Sequence, residues 1–186
     1  MLMTQPDRHP DGLSPEASLQ TLVAFDAVNA RQRRHWGRQE DRETTTLVGL
    51  LVNLAEWGGD VSLDVDGGRR FVGALRGVGA DVATLHGRDG RALVISLDYV
   101  SLVRPQASDR TEHTGDRPAT LNALFNEVLA ELSTDRPSVA VHLGRGEPVQ
   151  GRLQWCGLDV CCLRSGTPAQ PVYVPLMAIA AVAVTS

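Results

Sequence analysis

The chain has no lysine: all 18 of its basic residues are arginine, as the coding bias of a GC-rich genome would give. That absence excludes a phosphate-cradling loop ending in Gly-Lys, a Schiff-base lysine and a lysine general base. No apolar run approaches the roughly 18 residues needed to cross a bilayer. The opening "MLMTQPDRHPDG" lacks the charged-then-apolar pattern of a signal peptide. Both features predict a cytoplasmic protein without a membrane partner, in a reducing compartment where thiols stay free. Bulk basic charge is missing as well. Net charge is -4, and residues 1–46, 47–104, 105–118 and 119–186 each carry one more acid than base, unlike a typical nucleic-acid-binding domain.

Catalytic signatures are also absent. Gly-x-Ser-x-Gly, Gly-x-Gly-x-x-Gly and His-Glu-x-x-His do not occur. His9 and His113 lie in polar stretches, His35 in a basic cluster and His86 in a turn, while His142 alternates away from Val141 and Leu143 and is expected to face solvent. No enzyme, catalytic residue, cofactor or metal is expected.

What the chain does have is a repeat. Residues 73–85, "GALRGVGADVATL", match 151–163, "GRLQWCGLDVCCL", at an offset of 78, with six of the thirteen positions identical. Upstream, "VSLDV" (61–65) aligns with "VAVHL" (139–143). Downstream, with one residue inserted, "VISLDYVSLV" (94–103) aligns with "YVPLMAIAAV" (173–182). Each copy opens on a helical pattern. Thr46 is the expected N-cap for Leu47, Leu50, Leu51 and Leu54, with Gly58 and Gly59 as the stop; Thr120 precedes Leu121, Leu124, Phe125, Val128 and Leu132. Five short strands follow, at 61–65, 69–78, 81–86, 91–96 and 99–103 in the first copy. Gly73 and Gly151 are expected to bend their strands, and Asp81 and Asp159 to bond amides in the next hairpin. The polar, proline-bounded stretch 105–118 reads as a linker.

A helix followed by five short, bent strands resembles the Sm-like fold, shared by Sm proteins and bacterial Sm-like RNA chaperones. The carrying residues are Val61, Leu63 and Val65, the Asp66-Gly67 turn, Gly73-x-Leu75 and "VISLDYVSLV", with Val139, Val141, Leu143, Gly151, Leu153 and "VPLMAIAAV" in the second copy. The resemblance implies an α+β chain of two Sm-like small β-barrels in tandem, each behind its own α-helix. Its parts are a tail and helical arm at 1–43, a first barrel at 44–104, a linker at 105–118 and a second barrel at 119–186. It also implies RNA, or less readily DNA, as a partner; the open strand edges of such barrels are expected to pair, the two barrels with each other or with other chains, as self-association through barrel edge strands. The family's uridine-contacting residues are missing: Gly79 and Ala83 stand where it has aspartate and asparagine, and "ISLD" and "VPLM" offer no base.

The nucleic-acid reading therefore falls to the arm, where Arg31, Arg33, Arg34 and Arg38 accompany Trp36 in "RQRRHWGR". Arginines suit phosphates and a tryptophan suits base stacking. The same residues also suit a solvated helix end, neutralised by Glu40, Asp41 and Glu43. The leading expectation is a cytoplasmic RNA-binding regulator; the alternative is a protein-interaction scaffold or oligomerisation module. Trp155, in place of Gly77 of the first copy, is the candidate partner-binding anchor, with packing as its other role. Trp57 should pack on the barrel mouth. Cys156, Cys161 and Cys162 take the places of Val78, Ala83 and Thr84. Adjacent strand residues point to opposite faces, so Cys161 and Cys162 cannot share a metal. Cys156 and Cys161 face each other across the hairpin, and all three are expected as free thiols buried among apolar side chains.

Overall fold

The computed structural model describes residues 44–106 and 117–185. The arm, with Arg31, Arg33, Arg34, Trp36 and Arg38, lies outside the described residues, as does most of the linker. Helix α1 (Leu47–Glu56) starts where the leucine spacing predicts: Thr46 is extended, and its hydroxyl accepts the Gly49 N–H at 3.0 Å. The apolar side of the helix buries Leu51, Val52 and Leu54 almost completely, each contributing about 1.5–3 kcal/mol relative to exposure.

Five strands follow: β1 (Asp60–Val65), β2 (Arg69–Val78), β3 (Val82–Gly87), β4 (Ala92–Ser96) and β5 (Val100–Pro105). Helix α2 (Phe125–Ser133) then precedes β6 (Ser138–Leu143), β7 (Val149–Cys156), β8 (Val160–Ser165), β9 (Gln170–Pro175) and β10 (Ile179–Thr185). The ranges of β1 to β5 fall within a residue or two of those expected for the first copy. The way the strands assemble differs from expectation.

Two separate small barrels, each behind its own helix, do not form. The ten strands make one open antiparallel sheet in the order β5-β1-β2-β3-β4-β10-β6-β7-β8-β9. A barrel would close by pairing its first-half end strand β5 with β4. Instead the outer side of β4 pairs with β10, by Ala181↔Ile95, Val182↔Val94 and Ala183↔Leu93. The glycines read as bends serve close strand approach: a Cβ at Gly73 would lie 2.4 Å from the His86 carbonyl oxygen, and one at Gly151 2.6 Å from that of Arg164.

The apolar core crosses the junction in both directions. Ala140, Ala180, Ala181 and Ala183 pack with the cluster under α1, and Val82 and Val94 pack with the cluster under α2. The second helix also departs from its predicted start. Residues 121–124 are not helical, and Thr120, the expected cap, bonds β2 instead: its N–H donates to the Val78 carbonyl and its hydroxyl accepts the Val78 N–H. The true N-cap, Leu124, has no side-chain acceptor. The Asp81 carboxylate, from the first half, takes the Phe125 N–H at 2.9 Å, while Glu127 reaches back to the Leu124 N–H at 2.8 Å. So Asp81 caps a distant helix rather than its own hairpin, and α2 touches both β4 and β7.

Candidate interaction surface

Several polar contacts hold the β4–β10 joint. The Arg69 guanidinium donates to the carbonyls of Leu143 and Gly146 at 3.1 and 2.9 Å, and the Tyr99 hydroxyl donates to that of Met177. Gly144 has to be glycine, since a Cβ there would sit 2.3 Å from the Tyr99 ring. Across the joint His142 meets Phe71 edge-on, ring centroids 5.1 Å apart. The expectation of a solvent-facing His142 holds only in part: the residue is half-buried, and its Nδ1 is buried without a hydrogen bond. Burial, and then the Arg69 guanidinium, hold its imidazole below the ordinary value.

The outer edges of the sheet, β5 and β9, have no strand beside them among the described residues. Trp155 on β7, the predicted anchor, is 45% exposed, and its ring centroid is 6.2 Å from that of Tyr173 on β9, itself 62% exposed. Trp155, Cys162 and Tyr173 share one row across β7, β8 and β9, so the two rings flank a thiol that is buried. Leu102 on β5 and Leu47 at the start of α1 are also exposed. Trp57 is half-exposed, not sealed against the sheet.

Sequence reasoning missed Tyr173, Leu102 and Leu47 as surface residues and Asp81 as a helix cap. The repeat held the signal. Their twins Val94, Ala181 and Phe125 occupy positions that the joint buries. The cysteines depart from the free-thiol expectation. Cys156 and Cys161 are register partners in the β7–β8 hairpin and are joined as a disulfide, Cα atoms 4.1 Å apart, leaving Cys162 as the free thiol.

The charges are largely engaged within the molecule. Asp64 accepts from both Arg70 and Arg104, which bring its carboxyl down to about 2. Arg88 pairs with Asp60, Arg91 with Asp89 and Arg117 with Glu56. Arg152 and Arg164 donate to the carbonyls of Arg136 and Ala169. Among the described residues no three His, Cys, Asp or Glu side chains stand together as a metal site, and no helix is long and apolar enough to cross a membrane. A groove of about 450 Å³ beside the joint, lined by Asp81, Asp98, Phe125, Leu158 and Met177, contains no nucleophile hydrogen-bonded to a base. No protein-family model matches the chain, and no curated protein matches it.

Proposed function

We propose that this chain is a non-enzymatic protein-interaction module, joining a protein partner through the free edges β5 and β9 and the apolar side chains beside them. The observation that carries the reading is the pair of unpaired edges, each bearing an exposed large apolar residue, Leu102 and Tyr173. An unpaired strand presents a row of backbone donors and acceptors that invites another strand, and exposed aromatics are the side chains that anchor protein interfaces. The RNA-binding alternative draws little from the described surface, where ion pairs and carbonyls engage most arginines. It rests on Arg31, Arg33, Arg34, Trp36 and Arg38 alone.

The test is to crosslink tagged protein in its own cells and analyse co-purified protein and RNA in parallel. A stoichiometric protein, further copies of the chain included, that is lost when Leu102 or Tyr173 is replaced by aspartate supports the module. Recovery of RNA that depends on Arg31, Arg33 and Arg34, with no protein partner, overturns it in favour of nucleic-acid binding.

A further inference from the structure

The groove beside the β4–β10 joint is built by both halves and carries charge of one sign. The first half supplies Asp81, Asp98 and Ser96, the last residue of β4; the second supplies Phe125, Leu158 and Met177. Among the described residues no arginine or histidine lines its volume of about 450 Å³. The halves meet along it, since the Tyr99 hydroxyl, from the turn after β4, donates to the Met177 carbonyl. Neither half alone has both walls.

One wall is polar, and its acceptors are unused. Asp81 spends Oδ1 on the Phe125 N–H, and its other oxygen has no hydrogen bond among the described residues. Asp98 is exposed, and its carboxylate makes neither a hydrogen bond nor an ion pair among them. Elsewhere on the sheet arginines engage the acids, as with Asp60 and Asp64. Ser96 is 6% exposed. Strand alternation sets it on the same side of β4 as Val94, which packs with Phe125 of α2. Its hydroxyl has no hydrogen bond among the described residues, a state that costs free energy until a partner arrives. The amides that open α2 do not offset this wall, because Asp81 takes that of Phe125 and Glu127 that of Leu124.

The other wall is apolar and bare. Leu158 is 89% exposed and Met177 84%, more than any other large apolar side chain among the described residues. Bare apolar groups of this size mark a surface that something covers. Acid on one side and hydrocarbon on the other state what that something is made of.

We infer that the groove is a docking site for a basic segment of a protein partner, an arginine or lysine with an apolar neighbour. Long basic side chains have an apolar stem and a charged head. The stem and the apolar neighbour cover Leu158 and Met177, while the head reaches Asp98 and the unused oxygen of Asp81. Hydrogen bonds to a carboxylate from a charged donor are stronger than neutral ones. An anionic partner would meet only like charge here. A metal ion finds no set of three His, Cys, Asp or Glu ligands among the described residues and leaves the apolar wall bare. The site goes beyond the edge-strand reading, for no backbone of β5 or β9 takes part. Because its walls come from different halves, an occupant also stabilises the joint by mass action.

The experiment selects a phage library of random dodecapeptides on the full immobilised chain, then titrates the most enriched peptide by fluorescence anisotropy. The expected peptides carry arginine or lysine beside an apolar residue, and their binding weakens as salt is raised. Asp98→Asn and Asp81→Asn are each expected to raise the dissociation constant about tenfold, the scale of one lost charge-assisted bond. The second keeps an oxygen for the Phe125 N–H, and circular dichroism checks that both variants fold. Leu158→Ser is expected to weaken binding as well, while the edge variants Leu102→Asp and Tyr173→Asp bind like wild type. The peptide should raise the melting temperature of wild type and not that of Asp98→Asn. Failure to enrich any peptide, enriched peptides without a basic residue, or binding indifferent to Asp98→Asn overturns the site. Enriched peptides that depend on Leu102 or Tyr173 overturn the groove and leave the edge reading standing. Spermidine that binds as tightly as the peptide, with Leu158→Ser without effect, overturns a protein segment as the occupant.

Discussion

The β4–β10 joint and the free β5 and β9 edges are built from corresponding stretches of a duplicated sequence and live in different surroundings. At the joint Asp81 caps α2, Gly79 lies against the chain entering that helix and Ala181 is fully buried. At the edges Asp159, Gly157 and Leu102 hold the same places with little or nothing against them. A Cβ at Gly79 would meet the Ala123 carbonyl oxygen at 2.5 Å, whereas at Gly157 the nearest atom is 3.6 Å away. The difference teaches which residues belong to the fold of one half and which belong to docking. A position needed by the half should be sensitive in both copies, and a position needed by docking in one.

Substitutions in twin pairs test that division. The largest effect is expected for Ala181→Asp, which buries an unpaired charge between the two core clusters and should cost about 3 kcal/mol or more. Leu102→Asp should leave the stability of the isolated chain within about 0.5 kcal/mol. Urea unfolding at low protein concentration measures both, and equal losses would break the comparison. Next, Gly79→Ala should cost about 1–3 kcal/mol through overpacking against Ala123 and Val82, with Gly157→Ala near neutral. Removing the long-range cap by Asp81→Ala should cost about 1 kcal/mol, and Asp159→Ala nothing measurable in the monomer.

The smallest expected effect is the pH response of the joint. The folded His142 titrates below its unfolded value of about 6.5, so on acidification the unfolded chain takes up the proton first. Stability is whole above that pH and falls as pH drops from about 6.5 toward the folded value. Arg69 is the charge that acts on the ring, and His142→Phe should flatten this part of the profile. Asp64 acts in a separate window: its folded carboxyl is lowered from 3.8 to about 2, so its contribution is present above about 4 and lost as pH falls through 2. A thermal-melt series from pH 8 down to 2 separates the two, the His142 response appearing below about 6.5 and the Asp64 response below about 4.

Much of the local structure was legible because its causes are local. Thr46 and the leucine spacing mark α1, and hydrophobic alternation with glycine turns marks the strands. That the two halves pair through open strand edges was expected; that β4 and β10 are the strands that do so, in one continuous sheet, was not legible. Val94 and Ala181 carry the same alternation whether their strands meet within one half or across two, and nothing in a strand's own sequence tells which edge will be covered. The start of α2 failed for a related reason. Thr120 and Leu121 look like a cap and a first apolar position, yet tertiary contacts with Val78 and Gly77 claim both. At the candidate surface Trp155 was found because it replaces a glycine of its twin. Tyr173 was missed because an aromatic in an apolar strand looks like core until the strand is known to be an edge.

The capping of α2 by Asp81 and the pairing of β4 with β10 also set a timetable. On a ribosome moving at about 5–20 residues per second, Ala181 emerges 86 residues after its partner Ile95, roughly 4 to 17 seconds later. For that interval the first half has its own strands in hand while β4 stays open to whatever strand is nearby. The joint can close only after Ala183, the partner of Leu93, has been made, which places it among the last parts of the fold to form.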